Sequence, residues 1–367
     1  MRFPPRSAAL VASLSLLAAA AQAATPDNTT VTLYTLVDLN ATHYSAGSLA
    51  GVGSGYTSVN DGTTNGLNGS RWGLKAARDL DYGLKAGVLL EAGVNVDTGN
   101  AGQGGRIFGR QGYLWLNSPT WGEIRVGRQY ILEDSTMALT NSFGNALVHN
   151  PGTSVTNKGK NLPMWLNAPR ADNVVMVQTP TVNGFYAAAQ VAPGETTVDR
   201  FQGLKFAYSA GALNTALSYE WNTSRTTGKN INKSLTLGAN YDFGAFKLLG
   251  GYQGDRDLVT GSTNGAAGSV SNLLVQGATS FTATKLTGFN VGVEVPFGST
   301  IGVVNYTPVK YASATGTEAT LGKLAVDARF TLGKETYAYT GVSFATGDLK
   351  AYITQKTVTQ VGLRTAF

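Results

Sequence analysis

The sequence predicts an all-β protein, a transmembrane antiparallel β-barrel of about 16 strands. Three observations predict this fold. Apolar residues alternate with small or polar ones at period two, the connections between these segments are short and long in turn, and the chain opens with a leader-like segment. No later run of 18 apolar residues could form a membrane-spanning helix.

Residues 1–23 have the three parts of a signal peptide. Arg2 and Arg6 form a basic region, residues 8–21 form a short apolar region, and Ala21, Gln22 and Ala23 provide a small-residue cleavage motif. A transmembrane anchor would need a longer apolar run. We therefore predict cleavage between Ala23 and Ala24, with residues 24–367 forming the barrel.

The composition excludes several classes of protein. Charged residues make up only 14% of the chain, and its aromatic content is too high for a disordered chain. Glycine accounts for 46 of the 367 residues, but it does not recur at every third position as in collagen. The absence of cysteine excludes disulfides and thiolate metal sites. Without the predicted signal peptide, which carries Arg2 and Arg6, the net charge falls from +6 to +4, and this charge is too small and too dispersed to indicate nucleic-acid binding.

The individual strands are predicted from period-two alternation. Between residues 233 and 243, for example, Leu235, Leu237 and Tyr241 lie on one face, with Thr236 and Asn240 on the other. Segments of about ten residues suit a tilted strand that crosses a membrane. The predicted strands are 31–44, 71–80, 84–96, 109–117, 122–129, 173–179, 185–192, 200–209, 213–222, 233–243, 245–254, 285–295, 300–311, 320–330, 335–345 and 358–367.

The connections distinguish a barrel from a soluble β-sandwich. Short turns such as 81–83, 210–212 and 296–298 alternate with long segments such as 45–70, 130–172 and 255–271. A membrane barrel has tight turns at one rim and long loops at the other, whereas a sandwich has no such requirement. A barrel of sixteen strands encloses an aqueous lumen. The small and polar residues that alternate with the apolar ones would face this lumen and suit it.

The chain ends on an aromatic residue. Phe367 closes the last amphipathic segment, 358–367. A terminal aromatic residue on such a strand resembles the signal by which outer-membrane barrels are recognised for assembly.

Several motifs carry a family resemblance, and they lie at residues 31–34, 70–75, 79–91, 104–113, 127–130 and 361–364. In this order and spacing, the chain resembles the general outer-membrane porins of β-proteobacteria, of the Burkholderia, Bordetella and Neisseria type. The resemblance implies a homotrimer of barrels in the outer membrane of a Gram-negative bacterium, each a water-filled diffusion channel for ions and small hydrophilic solutes. It implies a long third external loop, here 130–172, folded into the lumen. It also implies lipid, lipopolysaccharide and the barrel-assembly machinery as partners, and no cofactor.

The resemblance assigns a basic wall to the narrowest part of the channel. Arg71, Arg110 and Arg170 match the family's wall cluster, and arginine suits the role because it stays charged at every relevant pH. Parity places Arg71 on the inner face and leaves Arg110 ambiguous. Arg128 shares parity with the lipid face, although Gly127 would permit a bulge that turns it inward.

The remaining candidate residues are one base and one acid on the wall, and two acids on the third loop. Lys75 and Asp38 lie on inner faces by parity, and Glu133 and Asp134 are the predicted acidic partners across the pore. Because arginine outnumbers carboxylate near the constriction, we expect a weak preference for anions.

Three alternatives remain open. An enzyme in a barrel would need a nucleophile and a base, and His43 and His149 have no flanking motif. A substrate-selective channel would line its path with a run of aromatic residues. A plugged structural or adhesive barrel would bind partners through its external loops and would not conduct ions.

Overall fold

The computed structural model describes residues 28–47, 53–64, 66–143, 155–166, 168–195, 198–261 and 272–367. The predicted signal peptide, its cleavage site at Ala23 and Ala24, and His149 lie outside these residues. None of the helices in the described ranges is long and apolar enough to span a membrane.

Sixteen antiparallel strands close into a barrel. In chain order they are β1 Thr29–Tyr44, β2 Arg71–Asp79, β3 Lys85–Asn95, β4 Gln111–Ser118, β5 Gly122–Tyr130, β6 Arg170–Gln178, β7 Phe185–Ala192, β8 Arg200–Ala210, β9 Leu213–Thr223, β10 Asn230–Asp242, β11 Lys247–Arg256, β12 Lys285–Phe297, β13 Thr300–Ala312, β14 Glu318–Gly333, β15 Thr336–Thr346 and β16 Thr357–Ala366. Each strand pairs with the next, and β1 pairs with β16, with Asp38 opposite Arg364, so the sheet has no free edge. The predicted barrel is confirmed.

Strands β6 and β10 begin earlier than the alternation predicts, because each contains an irregularity that breaks period two. In β6, Asn173 has φ 57° and the register with β5 shifts between Ala171 and Val174. In β10, Asn232 has φ 49°. A bulge of this kind changes which face the next residues occupy, so the pattern beyond it is not visible in the sequence.

The two faces of the wall differ as the alternation predicts. On β9, Leu217 and Tyr219 are 41% and 37% exposed on the outer face, whereas Ser218 and Glu220 are buried inside. An outer band of apolar side chains is what a lipid environment requires.

The rims also differ. Tight turns join strand pairs at one rim, where Gly244 adopts φ 82° between β10 and β11, a backbone conformation that favours glycine. The long connections lie at the other rim. There, residues 56–61 form a short strand that pairs with the end of β1 and leads the first long loop back to β2.

The described parts of the connection between β5 and β6, residues 131–143, 155–166 and 168–169, are here called the inner loop, and they fold into the lumen. The inner loop contains the short helix α1 (Leu132–Met137), a 3-10 turn (Ala138–Thr140) and a hairpin of Val155–Asn157 with Lys160–Leu162. The helix packs against inward-facing residues of β8 to β10. The long loop therefore narrows the barrel from within.

Candidate functional site

Three arginines meet on one side of the lumen. Arg71 begins β2, Arg110 immediately precedes β4, and Arg170 begins β6. Because the strands between them lie side by side, these residues occupy the same level of the wall, although up to 99 positions of sequence separate them. The sequence-predicted basic cluster is therefore assembled in space.

A carboxylate on β3 ties two of these arginines together. The Oε1 atom of Glu91 accepts a hydrogen bond from Nε of Arg110 at 2.8 Å, and its Oε2 atom lies 3.9 Å from Nη1 of Arg71. Tyr34 donates its hydroxyl to Oε2 at 2.8 Å. Charge-assisted donors thus surround the Glu91 carboxylate, which is itself buried.

A tyrosine joins the third arginine to the group. The hydroxyl of Tyr130 accepts hydrogen bonds from Nη2 of Arg110 at 2.7 Å and from Nη2 of Arg170 at 2.6 Å. The guanidinium of Arg170 also lies 4.4 Å from the centre of the Tyr130 ring, in cation–π geometry. Arg71 and Arg110 thus flank the Glu91 carboxylate, and Arg170 joins them through Tyr130. The group has three positive charges and one negative charge, which leaves an excess of positive charge.

Sequence reasoning missed Glu91, Tyr34 and Tyr130 as site residues. Parity assigns Glu91 to the inner face of its strand, and the register places it opposite Gly73, next to Arg71. The sequence signal that could have identified Glu91 is that it is an inward-facing carboxylate on the strand next to the predicted pore residue Arg71.

Further cations line the lumen below this cluster. Lys75 is exposed on the inner face, with Nζ 4.9 Å from the centre of the Tyr34 ring. It borders a recess of about 480 Å³ that Arg71, Glu91 and Arg364 also line. Arg364 donates to a carboxylate oxygen of Glu335 at 3.1 Å. Sequence reasoning did not single out this basic residue of the wall.

Arg128 belongs to a separate group nearer the long loops. Its guanidinium contacts Oδ1 of Asp172 and donates through Nε to the Gly109 carbonyl at 2.7 Å. Arg106 binds the same Asp172 carboxylate at 2.8 Å. Gly127, at φ 136°, has the irregular backbone that the sequence allows for, and Arg128 is turned toward Asp172 rather than toward Glu91.

The predicted acidic partners do not face the arginines across the pore, so this prediction needs correction. The carboxylate of Glu133 is 1% exposed, and its Oε1 accepts hydrogen bonds from Ser234 at 2.6 Å, Thr236 at 2.5 Å and Gln253 at 2.6 Å. Asp134 is buried in the same helix. The reason is that α1 docks with its acidic face against the wall.

Side chains from the wall cap both ends of this loop structure. Oε1 of Gln190 and Oε1 of Glu220 accept the backbone N–H groups of Leu132 and Glu133, at 3.2 and 2.8 Å. At the other end, Asn240 and Asn290 donate to the carbonyls of Leu139 and Thr140, at 3.0 and 2.7 Å. The polar groups that a helix leaves free at its ends are thus satisfied by the barrel. Burial of the Glu133 carboxyl raises its pKa above the ordinary value.

The prediction that Asp38 lines the channel wall also needs correction. The parity of Asp38 is inward as predicted, but it is fully buried and does not line the open channel. Oδ1 accepts the hydroxyl of Tyr339 at 2.6 Å and Oδ2 accepts the backbone N–H of Asn68 at 2.7 Å. The first long loop covers this carboxylate, so Asp38 anchors that loop to the wall.

The C-terminal residue lies at the seam where the barrel closes. The backbone of Phe367 exchanges two hydrogen bonds with Thr35, at 3.0 and 3.2 Å, and its ring is 81% exposed. Its predicted role in assembly stays a prediction.

Comparisons with known proteins agree with this architecture. The sequence profile of Gram-negative porins matches residues 7–349. An outer membrane porin protein of Bordetella pertussis is 30% identical over 335 residues, which cover 83% of this chain and 84% of that protein. Outer membrane porin protein 32 of Delftia acidovorans is 30% identical over 245 residues, 65% and 67% of the two chains. The structure of an anion-selective porin from Comamonas acidovorans matches with a TM-score of 0.69 at 23% identity, covering 92% of this chain and 100% of that one.

Proposed function

The chain belongs to the Gram-negative porins and forms a channel in the outer membrane, and from this premise we propose that the channel weakly prefers anions among the small hydrophilic solutes that diffuse through it. The observation that carries the proposal is the cluster of Arg71 and Arg110 on the Glu91 carboxylate, with Arg170 joined to it through Tyr130. A fixed cluster of guanidinium groups attracts anions and repels cations without binding either tightly.

The expected effect of one arginine on the local concentration of permeating ions is moderate. A unit charge about 6 Å from a permeating ion contributes roughly 0.7 kcal/mol in bulk water, or about a threefold change in local ion concentration. Salt screens this interaction, because the Debye length is about 10 Å at 0.1 M. A weak preference, rather than strict selectivity, therefore follows from the geometry.

A homotrimer is also part of the proposal. On the outer face, Ala76, Val88, Leu114 and Val126 stand opposite one another in a single row across β2 to β5. They border a shallow apolar groove of about 500 Å³. A flat row of small and aliphatic side chains suits contact with a second copy, while the rest of the apolar band would face lipid and lipopolysaccharide. The assembly machinery would act on the strand that ends at Phe367.

The test is the reversal potential of the purified protein in planar bilayers under a salt gradient. Arg71→Gln and Arg170→Gln should each lower the anion-to-cation permeability ratio about two- to threefold at 0.1 M salt. Arg71 suits this test better than Arg110, because its side chain is 17% exposed against 6% for Arg110, and its loss leaves Glu91 paired.

The matched control is Arg78→Gln, an equal change of charge at the other end of β2. Arg78 is exposed and binds the Thr29 hydroxyl at 2.8 Å, away from the cluster. A wild-type channel that prefers cations, or an Arg78→Gln effect as large as that of Arg71→Gln, would contradict the proposal. A barrel that does not conduct would support the adhesive alternative.

A further inference from the structure

Resting on the proposed channel function, we propose that an apolar cap formed by three loops sets the size limit of the channel and confines solutes to its arginine-lined side. The outer cap consists of residues 155–166 of the inner loop, residues 272–284 between β11 and β12, and residues 349–354 between β15 and β16. It covers the arc of the wall from β11 to β14, which lies across the lumen from the arginine cluster.

The outer cap is a dry core rather than a set of loops in water. Leu162, Trp165, Val275 and Ile353 are 0% exposed, and Leu349 is 1% exposed. They pack with one another and with inward-facing residues of β12 to β14. Side chains buried to this degree leave no aqueous path between the cap and the wall.

The wall is shaped to receive the cap. A Cβ atom at Gly288 would lie 2.3 Å from Nε1 of Trp165, and one at Gly251 would lie 2.9 Å from the far edge of the same ring. The indole therefore rests directly on the backbone of β11 and β12. Tyr311 on β13 adds a hydrogen bond from its hydroxyl to the Pro163 carbonyl at 2.6 Å.

One buried amide joins all three loops. Nδ2 of Asn157 donates to the Gln276 carbonyl at 2.9 Å and to the Tyr352 carbonyl at 3.0 Å, and its Oδ1 accepts the Gln276 N–H at 2.7 Å. Next to it, the Thr354 N–H donates to the Thr156 carbonyl at 2.7 Å. Asn157 is 0% exposed. Losing its side chain removes the hydrogen-bond partner of both the N–H and the carbonyl of Gln276. The Tyr352 carbonyl keeps one hydrogen bond, from the Lys158 N–H at 3.2 Å.

The same wall arc has a different charge from the open side. Asp255 on β11 and Asp327 with Lys323 on β14 are its buried charged residues, and they are mixed in sign. A route opened by displacing the cap would therefore pass solutes beside a wall without the arginine excess. Widening the channel should reduce its anion preference at the same time.

The experiment compares Asn157→Ala with Asn161→Ala, an identical substitution on the facing strand of the same hairpin. Asn161 has an exposed side chain, so its loss should change nothing. A third variant replaces residues 155–162 with a short Gly-Ser linker and removes the hairpin outright. The measurements are single-channel conductance, reversal potential, and swelling of liposomes in neutral sugars of increasing size.

We expect Asn157→Ala and the linker variant to admit larger sugars, to conduct about 1.5- to 2-fold more, and to show a reversal potential nearer zero. The inference is overturned if the linker variant, folded and inserted, keeps the wild-type size limit and conductance, or if Asn161→Ala matches Asn157→Ala. A wild-type protein that does not conduct or that prefers cations would instead refute the proposed function, so the two failures are distinguishable.

Discussion

The buried carboxyl of Glu133 gives the sharpest prediction. The change is Glu133→Gln, which keeps the Oε1 atom that accepts the donors of Ser234, Thr236 and Gln253. It removes the ability to ionise beside the Glu220 carboxylate, whose Oε1 already accepts the Glu133 N–H. Burial raises the pKa of Glu133 above its ordinary 4.5, so the docked helix binds a proton more tightly than the undocked helix.

The sign of the pH dependence follows from this raised pKa. A group that binds more protons in the docked state loses stabilisation as the pH rises from 4.5 to the docked pKa, and loses no more above it. For each pH unit in that interval the loss is about 1.4 kcal/mol, or tenfold in the opening equilibrium. Relative to Glu133→Gln, the wild-type inner loop should therefore open more readily as the pH rises above 4.5, until the docked pKa is reached.

The assay is hydrogen exchange at the backbone amides of residues 132–140, measured from pH 4 to pH 8. The ratio of wild-type to Glu133→Gln exchange rates removes the chemical pH dependence common to both proteins. We expect a ratio near one at pH 4 that rises and then levels off. Glu335→Gln, at an exposed carboxyl on the rim, is the control and should give a flat ratio. A flat ratio for Glu133→Gln as well would refute the argument.

Two further substitutions test how the loops are held. Gly288→Ala should lower the free energy of unfolding in detergent by about 1–3 kcal/mol, because the new Cβ would meet Trp165. Gly250→Ala, whose Cβ would come no nearer than 3.9 Å to its neighbours, should be neutral, and equal effects would contradict the packing argument. Tyr339→Phe should cost about 1–3 kcal/mol by removing the buried donor of Asp38. In an Asp38→Asn background the same change should cost less, and full additivity would show that the contact is not energetically coupled.

The barrel could be predicted from the sequence because its signal is local. In each strand, apolar side chains that face outward alternate with small or polar ones that face the lumen, as Leu217 and Ser218 do on β9. The strands can therefore be predicted without knowledge of distant contacts or of the loops. The exceptions are bulges. At Asn173 the backbone has a positive φ, so the alternation of inward and outward side chains is interrupted there. The start of β6 before Asn173 therefore cannot be predicted from period two.

The site was predicted less well, because its geometry depends on the inner loop. Arg71 belongs to a regular strand, and parity places it on the inner face, whereas Arg170 precedes the irregularity of β6 and is placed on the wall only by the family resemblance. Glu133 lies on a helix whose orientation is fixed by caps from Gln190 and Glu220, on strands more than 50 residues away. Nothing in the local sequence of the loop indicates which side of α1 faces the barrel, so sequence reasoning places its acids in the water of the pore.

Burial adds to the positive charge that the composition already gives the proposed water path. Among the described residues, eight carboxylates are at least nine-tenths buried, against three basic side chains. The carboxylates are Asp38, Asp61, Glu91, Glu133, Asp134, Glu220, Asp255 and Asp327, and the bases are Arg110, Lys205 and Lys323. The buried acids of the loop anchors accept hydrogen bonds from the loops or the wall, whereas Lys75 remains exposed to the lumen. Loop docking thus removes negative charge from the water path and leaves positive charge in it, so displacing the loops should weaken anion preference even when every arginine is intact.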